Sequence, residues 1–235
     1  MRERDRAQPA RRAQGAHPRV GPLRLRRGAR GVPPGGARLP RSVTNASAAL
    51  RAGLPVVLPT DTVYGLCGDP DRPEVAQEVA RLKGREQRQP IALLAGSVER
   101  LLERVPELDA RALLAGPYTL ILPNPQRRYP WLTGERPDTI GVRLPKLPPP
   151  AAEVLDEVGA VLATSANAHG GSDPRRLEDV PEEIRRACGA LVDGGELSGT
   201  PSTVLDLTGP EPQVVREGAV PATDALAALA DRLRE

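Results

Sequence analysis

Five short clusters gather hydroxyls, an amide and cations at the ends of apolar runs. They are Thr60-Asp61-Thr62, Lys83-Gly84-Arg85, Thr139 to Arg143, Ser165-Ala166-Asn167 and Pro201-Ser202-Thr203, with Arg216 following the last. Ligands of α/β sheets bind where strands end and loops diverge, so these are positions at which a small-molecule site is built. Each cluster also has an ordinary structural reading. Asp and Thr side chains bond local backbone and favour turns, which accounts for Thr60-Asp61-Thr62. Lys83 and Arg85 suit the negative end of a helix dipole. "TSAN" (164–167) is equally a turn closing a strand. The glycines of "DGGELSGTPST" (193–203) either bring backbone N–H groups to an anion or make a flexible loop. Lysine is the informative choice at position 83, because the chain has 31 Arg and two Lys. A compact ammonium beside the planar fork of Arg85 is a pairing suited to phosphate.

Other chemistries lack their residues. Neither G-x-x-x-x-G-K-[ST] nor G-x-G-x-x-G occurs, so the common phosphate-binding fingerprints are missing. Of the two histidines, His17 lies in an arginine-rich N-terminal stretch, which leaves His169. With no G-x-S-x-G motif, a Ser-His-Asp hydrolase is poorly supported. Cys67 and Cys188 form no C-x-x-C pair and have no histidine at metal spacing, which argues against a protein-held metal or a disulfide framework. That cysteine usage fits a reducing cytosol, and a cytoplasmic location is expected. No apolar stretch approaches the roughly 20 residues needed to cross a bilayer, and no apolar region follows the N-terminal arginines as in a signal peptide. Hydroxyls, an amide and cations suit the binding of a nucleotide and a small zwitterion better than acid–base work by a side chain.

The elements that must position these groups follow from pattern. The chain has 235 residues, 39% of them hydrophobic but only 2% aromatic, so one sizeable core must be built from Leu, Val, Ala and Ile. "SVTNASAALRAGLP" reads as a helix ended by Gly53. "VVL" (56–58), closed by Pro59, reads as a buried strand. "RPEVAQEVARLKGR" places Val75, Val79 and Leu82 on one helical face. "IALLA", "YTLILP", "TIGVRLP", "AVLATSAN", "ALVDGG", "STVLDLT" and "QVVREG" read as further strands. "SVERLLERV", "ELDARALLA", "AAEVLDEVG", "LEDVPEEIRRACG" and "TDALAALADRLR" read as helices, the last capped by Thr223 or Asp224. Strands sometimes follow one another directly, so the expected fold is α/β with a mixed sheet flanked by helices.

Charge is divided unevenly. Residues 1–40 hold eleven arginines against Glu3 and Asp5, a net of +9, while the remainder holds 22 basic and 28 acidic side chains, a net of −6. The first 40 residues, rich in Arg, Pro and Gly, read as a disordered basic tail, with the folded domain over 41–235. The plain reading is a solvated tail or an upstream extension. The alternative is a basic arm making weak contact with double-stranded RNA or tRNA.

Taken in order, "LPTDTVYGL", "KGR", "GPYTLILP", "TIGVRLP", "TSAN", "GTPSTVLDL" and "VVREG" form a specific series. The chain from about Ser42 to Val220 resembles the YrdC-like family of threonylcarbamoyl-AMP synthases. That resemblance implies a twisted mixed sheet with an open, concave, electropositive ligand face. It implies a nucleotidyltransferase that joins L-threonine, bicarbonate and ATP into threonylcarbamoyl-AMP and pyrophosphate, with Mg2+ held mainly by the ATP phosphates. A threonylcarbamoyl transferase complex would then modify tRNA next to the anticodon. By matching position, Thr62, Arg143 and Ser202 would hold threonine, and Thr60 and Tyr64 would shape the pocket. Arg85, Thr139, Ser165, Asn167 and Arg216 would contact ATP, and Lys83 would lie against the phosphates. Lys83 and Arg85 would offset charge on the leaving group. Few residues follow Val220, as expected of the single-domain form. Three positions depart from the pattern. Gln89 stands for a common Asn, Leu94 for a common His, and Ala163 for a common hydroxyl residue. Two rival readings remain at this level: an RNA-binding module, and a non-catalytic nucleotide sensor of the same fold.

Overall fold

Short apolar runs separated by Gly, Pro and polar turns make short strands, and longer stretches with one apolar face make helices. The computed structural model describes residues 43–84 and 89–234; Arg85 and the basic segment 1–40 lie outside them. The strands are β1 (Val56–Pro59), β2 (Tyr64–Gly68), β3 (Ala92–Ala95), β4 (Tyr118–Pro123), β5 (Thr139–Arg143), β6 (Ala160–Ser165), β7 (Ala190–Leu191), β8 (Thr203–Asp206) and β9 (Gln213–Arg216). The helices are α1 (Val43–Arg51), α2 (Pro73–Leu82), α3 (Val98–Arg104), α4 (Pro149–Val158), α5 (Glu182–Ala187) and α6 (Ala222–Arg234).

The strands form one sheet in the order β7-β1-β2-β6-β3-β5-β4-β8-β9. The pairs β1–β7, β3–β5 and β4–β8 are parallel, and the other neighbours are antiparallel. The mixed sheet expected from the sequence is thus the one formed.

The two faces are covered unequally. Alternation along each strand sends Tyr64, Leu66, Leu93, Leu120, Leu122, Val142, Leu162 and Leu205 to one face, where α2, α5, α3 and α6 pack on them. On the other face Leu58, Cys67, Leu94 and Val161 pack against α1 and α4. Fully burying such side chains contributes about 1.5–3 kcal/mol each, so the helices on both faces are anchored by packing. Among the described residues, α1 and α4 reach only part of their face, and the bare remainder carries the polar strand-end residues.

The structure changes four local expectations. Tyr64–Gly68 is a strand that the sequence pattern hides, because two of its five residues are glycines of low strand propensity. Gly68 is required there, since a Cβ would meet Val75 Cγ1 at 2.4 Å where α2 packs on β2. "ELDARALLA" forms only a short turn of 3-10 helix, Ala110–Ala112. Consecutive Leu113 and Leu114 are both buried, which the single apolar stripe of a longer helix would not achieve. "LEDVPEEIRRACG" is split by Pro181 into a 3-10 turn, Leu177–Asp179, and α5. At α6 the helix starts before Thr223 and Asp224, and Glu217 Oε2 accepts the Ala222 N–H at 2.9 Å in place of the expected cap.

Candidate functional site

A cavity of about 530 Å3 opens on the bare face, within the size range of ligand pockets. Its floor is made of small residues: Gly65 on β2, Ala163 on β6, Ala92 on β3 and Gly141 on β5. Ala163 pairs directly with Ala92 across the sheet. A ligand can therefore lie against the backbone. Arg143 and Thr139 mark two ends of β5, four residues and about 13 Å apart.

At the Arg143 end, the β1–β2 turn satisfies both readings of its sequence. Thr60 Oγ1 donates to the Val63 carbonyl at 2.7 Å and accepts the Thr62 and Val63 N–H groups at 3.2 and 3.3 Å. Thr60 thereby builds the turn, and its hydroxyl lies 3.0 Å from that of Thr62. Both threonines line the cavity. Arg143 Nη2 donates to Asp61 Oδ1 at 2.8 Å and to Thr62 Oγ1 at 3.3 Å. Asp61 also accepts the Lys146 N–H at 3.2 Å, so the carboxylate orders the turn and holds the arginine. Arg143 Nε is buried with no acceptor. Leaving a buried donor unpaired costs about 1–3 kcal/mol. Burial pushes the Asp61 carboxyl above its ordinary value against the pull of Arg143, and pushes Arg143 below its own against the pull of Asp61.

Across the cavity, Ser202 and Thr119 share a hydrogen bond of 2.7 Å. Arg216 donates to the Ser202 carbonyl from Nη2 at 2.8 Å and from Nε at 3.2 Å. This close approach of β8 and β9 requires Gly218, where a Cβ would fall 2.2 Å from the Pro201 carbonyl oxygen. Thr62, Arg143, Ser202 and Arg216 are thus brought to one cavity, together with Ser165 and Thr139. Thr139 Oγ1 donates to the Arg136 carbonyl at 3.0 Å, and the Arg136 guanidinium spans to Asp206 and Thr208 at 2.7 and 2.8 Å.

Three residues stand behind the wall instead of in it. Lys83 is 4% exposed. Its ammonium donates to the Ser165 carbonyl at 2.6 Å, the Asn167 carbonyl at 3.0 Å and Asn167 Oδ1 at 2.7 Å. Asn167 Oδ1 also accepts from Ser165 Oγ at 2.7 Å, and Asn167 Nδ2 donates to the Gly171 carbonyl at 2.6 Å. Lys83 and Asn167 together fix the backbone that presents Ser165. Tyr64 is fully buried, and its hydroxyl donates to the Gly195 carbonyl at 2.8 Å and accepts the Gly194 N–H at 2.9 Å. It anchors the 193–201 segment and does not wall the pocket. Burial pushes the Tyr64 hydroxyl up to about 12. Of the departures, Ala163 lies on the cavity floor, whereas Leu94 is packed in the core beneath α4.

Sequence reasoning missed Thr119, Thr133, Glu135, Arg136 and Asp173, which also line the cavity. The charged turn "GERPD" directly before β5 was a usable signal for two of them. Asp173 was hidden in a loop whose course no local pattern gives. Among the described residues, no three His, Cys, Asp or Glu side chains cluster as a metal site.

A family profile for Sua5/YciO/YrdC proteins, described as "Telomere recombination", matches residues 48–218. A threonylcarbamoyl-AMP synthase of Halorhodospira halophila is 35% identical over 71% of this chain and 88% of its own length. One from Pyrococcus abyssi is 31% identical over 73% of this chain and 52% of its own. A crystal structure of P. abyssi Sua5 complexed with L-threonine matches with a TM-score of 0.72 at 29% identity, over 79% of this chain and 56% of that one. Escherichia coli YciO matches with a TM-score of 0.64 at 25% identity, over 76% of this chain and 90% of its own. The chain thus spans just over half the length of the P. abyssi protein and most of the length of the shorter relatives. With a profile match across most of its length, relatives above 30% identity and this sheet order around one open cavity, the chain belongs to the Sua5/YciO/YrdC family.

Proposed function

We propose that the chain is a threonylcarbamoyl-AMP synthase, forming threonylcarbamoyl-AMP and pyrophosphate from L-threonine, bicarbonate and ATP. The observation that carries this is Arg143: a guanidinium that lines the cavity, is fixed by Asp61 and lies 3.3 Å from the Thr62 hydroxyl, in a cavity of about 530 Å3. A planar guanidinium suits a carboxylate, and the hydroxyls beside it suit a hydroxy amino acid. The activity named for the relatives favours this reading over an RNA-binding module or a nucleotide sensor.

In this reading threonine takes the Arg143 end, held by Thr62, with Ser202 facing it and Thr60 shaping the turn. ATP takes the remaining floor, contacted by Ser165, Thr139 and Arg216, with Asn167 and Lys83 as positioning residues for Ser165. Arg85 supplies a further cation to the phosphates. The neutral threonine amine attacks CO2 with loss of a proton to solvent, or bicarbonate with loss of water, to give N-carboxy-threonine. A carbamate oxygen then attacks the α-phosphorus of ATP in line, and pyrophosphate leaves. Such chemistry asks for alignment and charge stabilisation more than for a side-chain base. Mg2+ keeps most of its waters and prefers phosphate oxygens. Among the described residues the cavity holds no cluster of three metal-ligating side chains, so the ion would arrive on the nucleotide, and its charge would add to that of the arginines lining the cavity. The product would pass to a tRNA-modifying transferase complex, and the free thiols Cys67 and Cys188 fit a reducing compartment such as the cytoplasm.

The test is pyrophosphate release from ATP by the full chain, with threonine and bicarbonate each left out in turn. Release that needs both is the expected result. Release independent of threonine would refute the assignment.

A further inference from the structure

Thr119 stands on the cavity face of β4, and the strand register fixes its place. One step on from the Leu120–Val142 pair, Thr119 comes level with Arg143 on β5. On its other side it pairs with Val204 on β8, and Val204 pairs with Arg216 on β9. Residues opposite one another across a sheet share a face, and all four line the cavity. Arg143, Thr119, Val204 and Arg216 therefore make one row across four neighbouring strands, with an arginine at each end. Burial chiefly, and the like charge of Arg216 in lesser part, push Arg143 below its ordinary value against the pull of Asp61. Among the described residues Arg216 meets no carboxylate and bonds to Ser202. A row with two cations on one face suits an anionic group between them.

The Thr119 side chain is oriented at both of its branches. Its methyl is turned to the floor, 4.0 Å from where a Cβ on Gly141 would stand. Its Oγ1 lies 2.7 Å from Ser202 Oγ. Ser202 Oγ also accepts from Arg216 Nη2 at 3.3 Å. A guanidinium only donates, and each hydroxyl carries one proton. The two hydroxyls therefore hold two protons and spend one on each other. The second has no acceptor among the described residues. Hydrogen bonds in a chain polarise one another, so a cation donating to Ser202 favours Ser202 donating to Thr119. The spare proton is then on Thr119. Thr119 is also the more open of the two, partly buried where Ser202 is 3% exposed.

We propose that Thr119 is a substrate-binding residue that donates this proton to a carboxylate oxygen of the amino-acid part of the substrate, with Arg216 and Ser202 setting the direction of the donor chain. This rests on the synthase reading, in which the amino acid takes the Arg143 end, and it adds a contact to that reading. Two groups of the same chemistry can supply the acceptor: the carboxylate of threonine itself, and the carbamate built on its nitrogen. Ser202 then acts on the substrate through Thr119, and the Thr119 methyl keeps the floor apolar beside Gly141.

Steady-state pyrophosphate release by the full chain tests this, with threonine, bicarbonate and ATP varied in turn. Thr119→Val keeps the shape and the methyl and removes the proton. It should lower kcat/KM for threonine or for bicarbonate by about tenfold to a hundredfold, the range for one hydrogen bond to a charged group. ATP affinity by titration calorimetry should stay within about twofold, a fraction of one tenfold step. Thr119→Ser, which restores the hydroxyl, should recover most of the loss. The melting temperature of Thr119→Val should stay within about 4 °C of wild type, since one neutral hydrogen bond is lost. Threonine affinity measured without bicarbonate separates the two acceptors. A fall assigns the proton to the threonine carboxylate; an unchanged value with a lower kcat/KM for bicarbonate assigns it to the carbamate. Undiminished turnover in Thr119→Val would overturn the proposal. So would a loss confined to ATP, or a loss that Thr119→Ser does not rescue. Absence of threonine-dependent turnover in the wild type would refute the synthase reading beneath it, a failure distinct from these.

Discussion

Replacing Lys83 by methionine separates two roles that one cation can play. The residue is 4% exposed, and its ammonium makes three hydrogen bonds of 3.0 Å or less, to two carbonyls and one amide oxygen of the Ser165–Asn167 segment. Methionine fills similar volume but offers no donor. Hydrogen bonds from charged groups contribute about 1.5–3 kcal/mol each and are not additive within one network. Removing one member of a buried charged network generally costs about 3–5 kcal/mol. In a folded part of roughly 190 residues each kcal/mol lowers the melting temperature by about 2–4 °C, so Lys83→Met should melt about 6–20 °C lower. Ser165 then loses its fixed backbone, and ATP affinity should fall at least about tenfold, or 1.4 kcal/mol. Lys83→Arg should not rescue either property, because a planar fork does not fit a buried ammonium site. The assays are thermal unfolding and ATP titration on the same preparations. A variant that melts within about 2 °C of wild type, less than 1 kcal/mol, while losing turnover would refute the positioning argument and return Lys83 to direct phosphate contact.

Gly141 lies on the cavity floor, where an added Cβ meets only Ala92 and Thr119 at 3.8–4.0 Å. Gly141→Val should therefore fold with a melting temperature within about 4 °C of wild type, yet exclude ATP in a titration. At Asp61, burial holds the carboxyl above its ordinary value. A group with a raised folded value contributes most while protonated, so wild type should lose stability relative to Asp61→Asn as pH rises through that value. Paired thermal unfolding curves from about pH 3 to 7 across the ordinary carboxylate range check this sign. Cys67 and Cys188 are buried, and burial pushes both thiols up to about 12. Neither should be alkylated at about pH 8, near the ordinary thiol value, until the chain is unfolded.

Much of the fold was legible because most strands are apolar runs with clear punctuation. Val56–Leu58, Tyr118–Pro123 and Ala160–Ser165 need no context to be recognised. The failures have physical causes. Tyr64–Gly68 becomes a strand only because β1 and β6 pair with it on both sides. "ELDARALLA" has helix formers, but the burial of Leu113 and Leu114 overrides local preference. The candidate site was legible as a set of strand ends, since Thr62, Thr139, Arg143, Ser165, Ser202 and Arg216 all reach the cavity. What sequence could not convey was depth. Lys83 and Tyr64 look like pocket groups by type, but their chemistry is spent on backbone carbonyls behind the wall. Nor could it convey partnership: Asp61 looked like a turn residue, and it is also the counter-ion of Arg143.

The most direct test of the central claim is identification of the product. The full chain is incubated with L-threonine, ATP, Mg2+ and isotopically labelled bicarbonate, and the mixture is resolved at once by mass spectrometry. One species containing AMP, threonine and the labelled carbon is the predicted result, formed together with pyrophosphate. Pyrophosphate or AMP without a labelled threonine adduct would contradict the account.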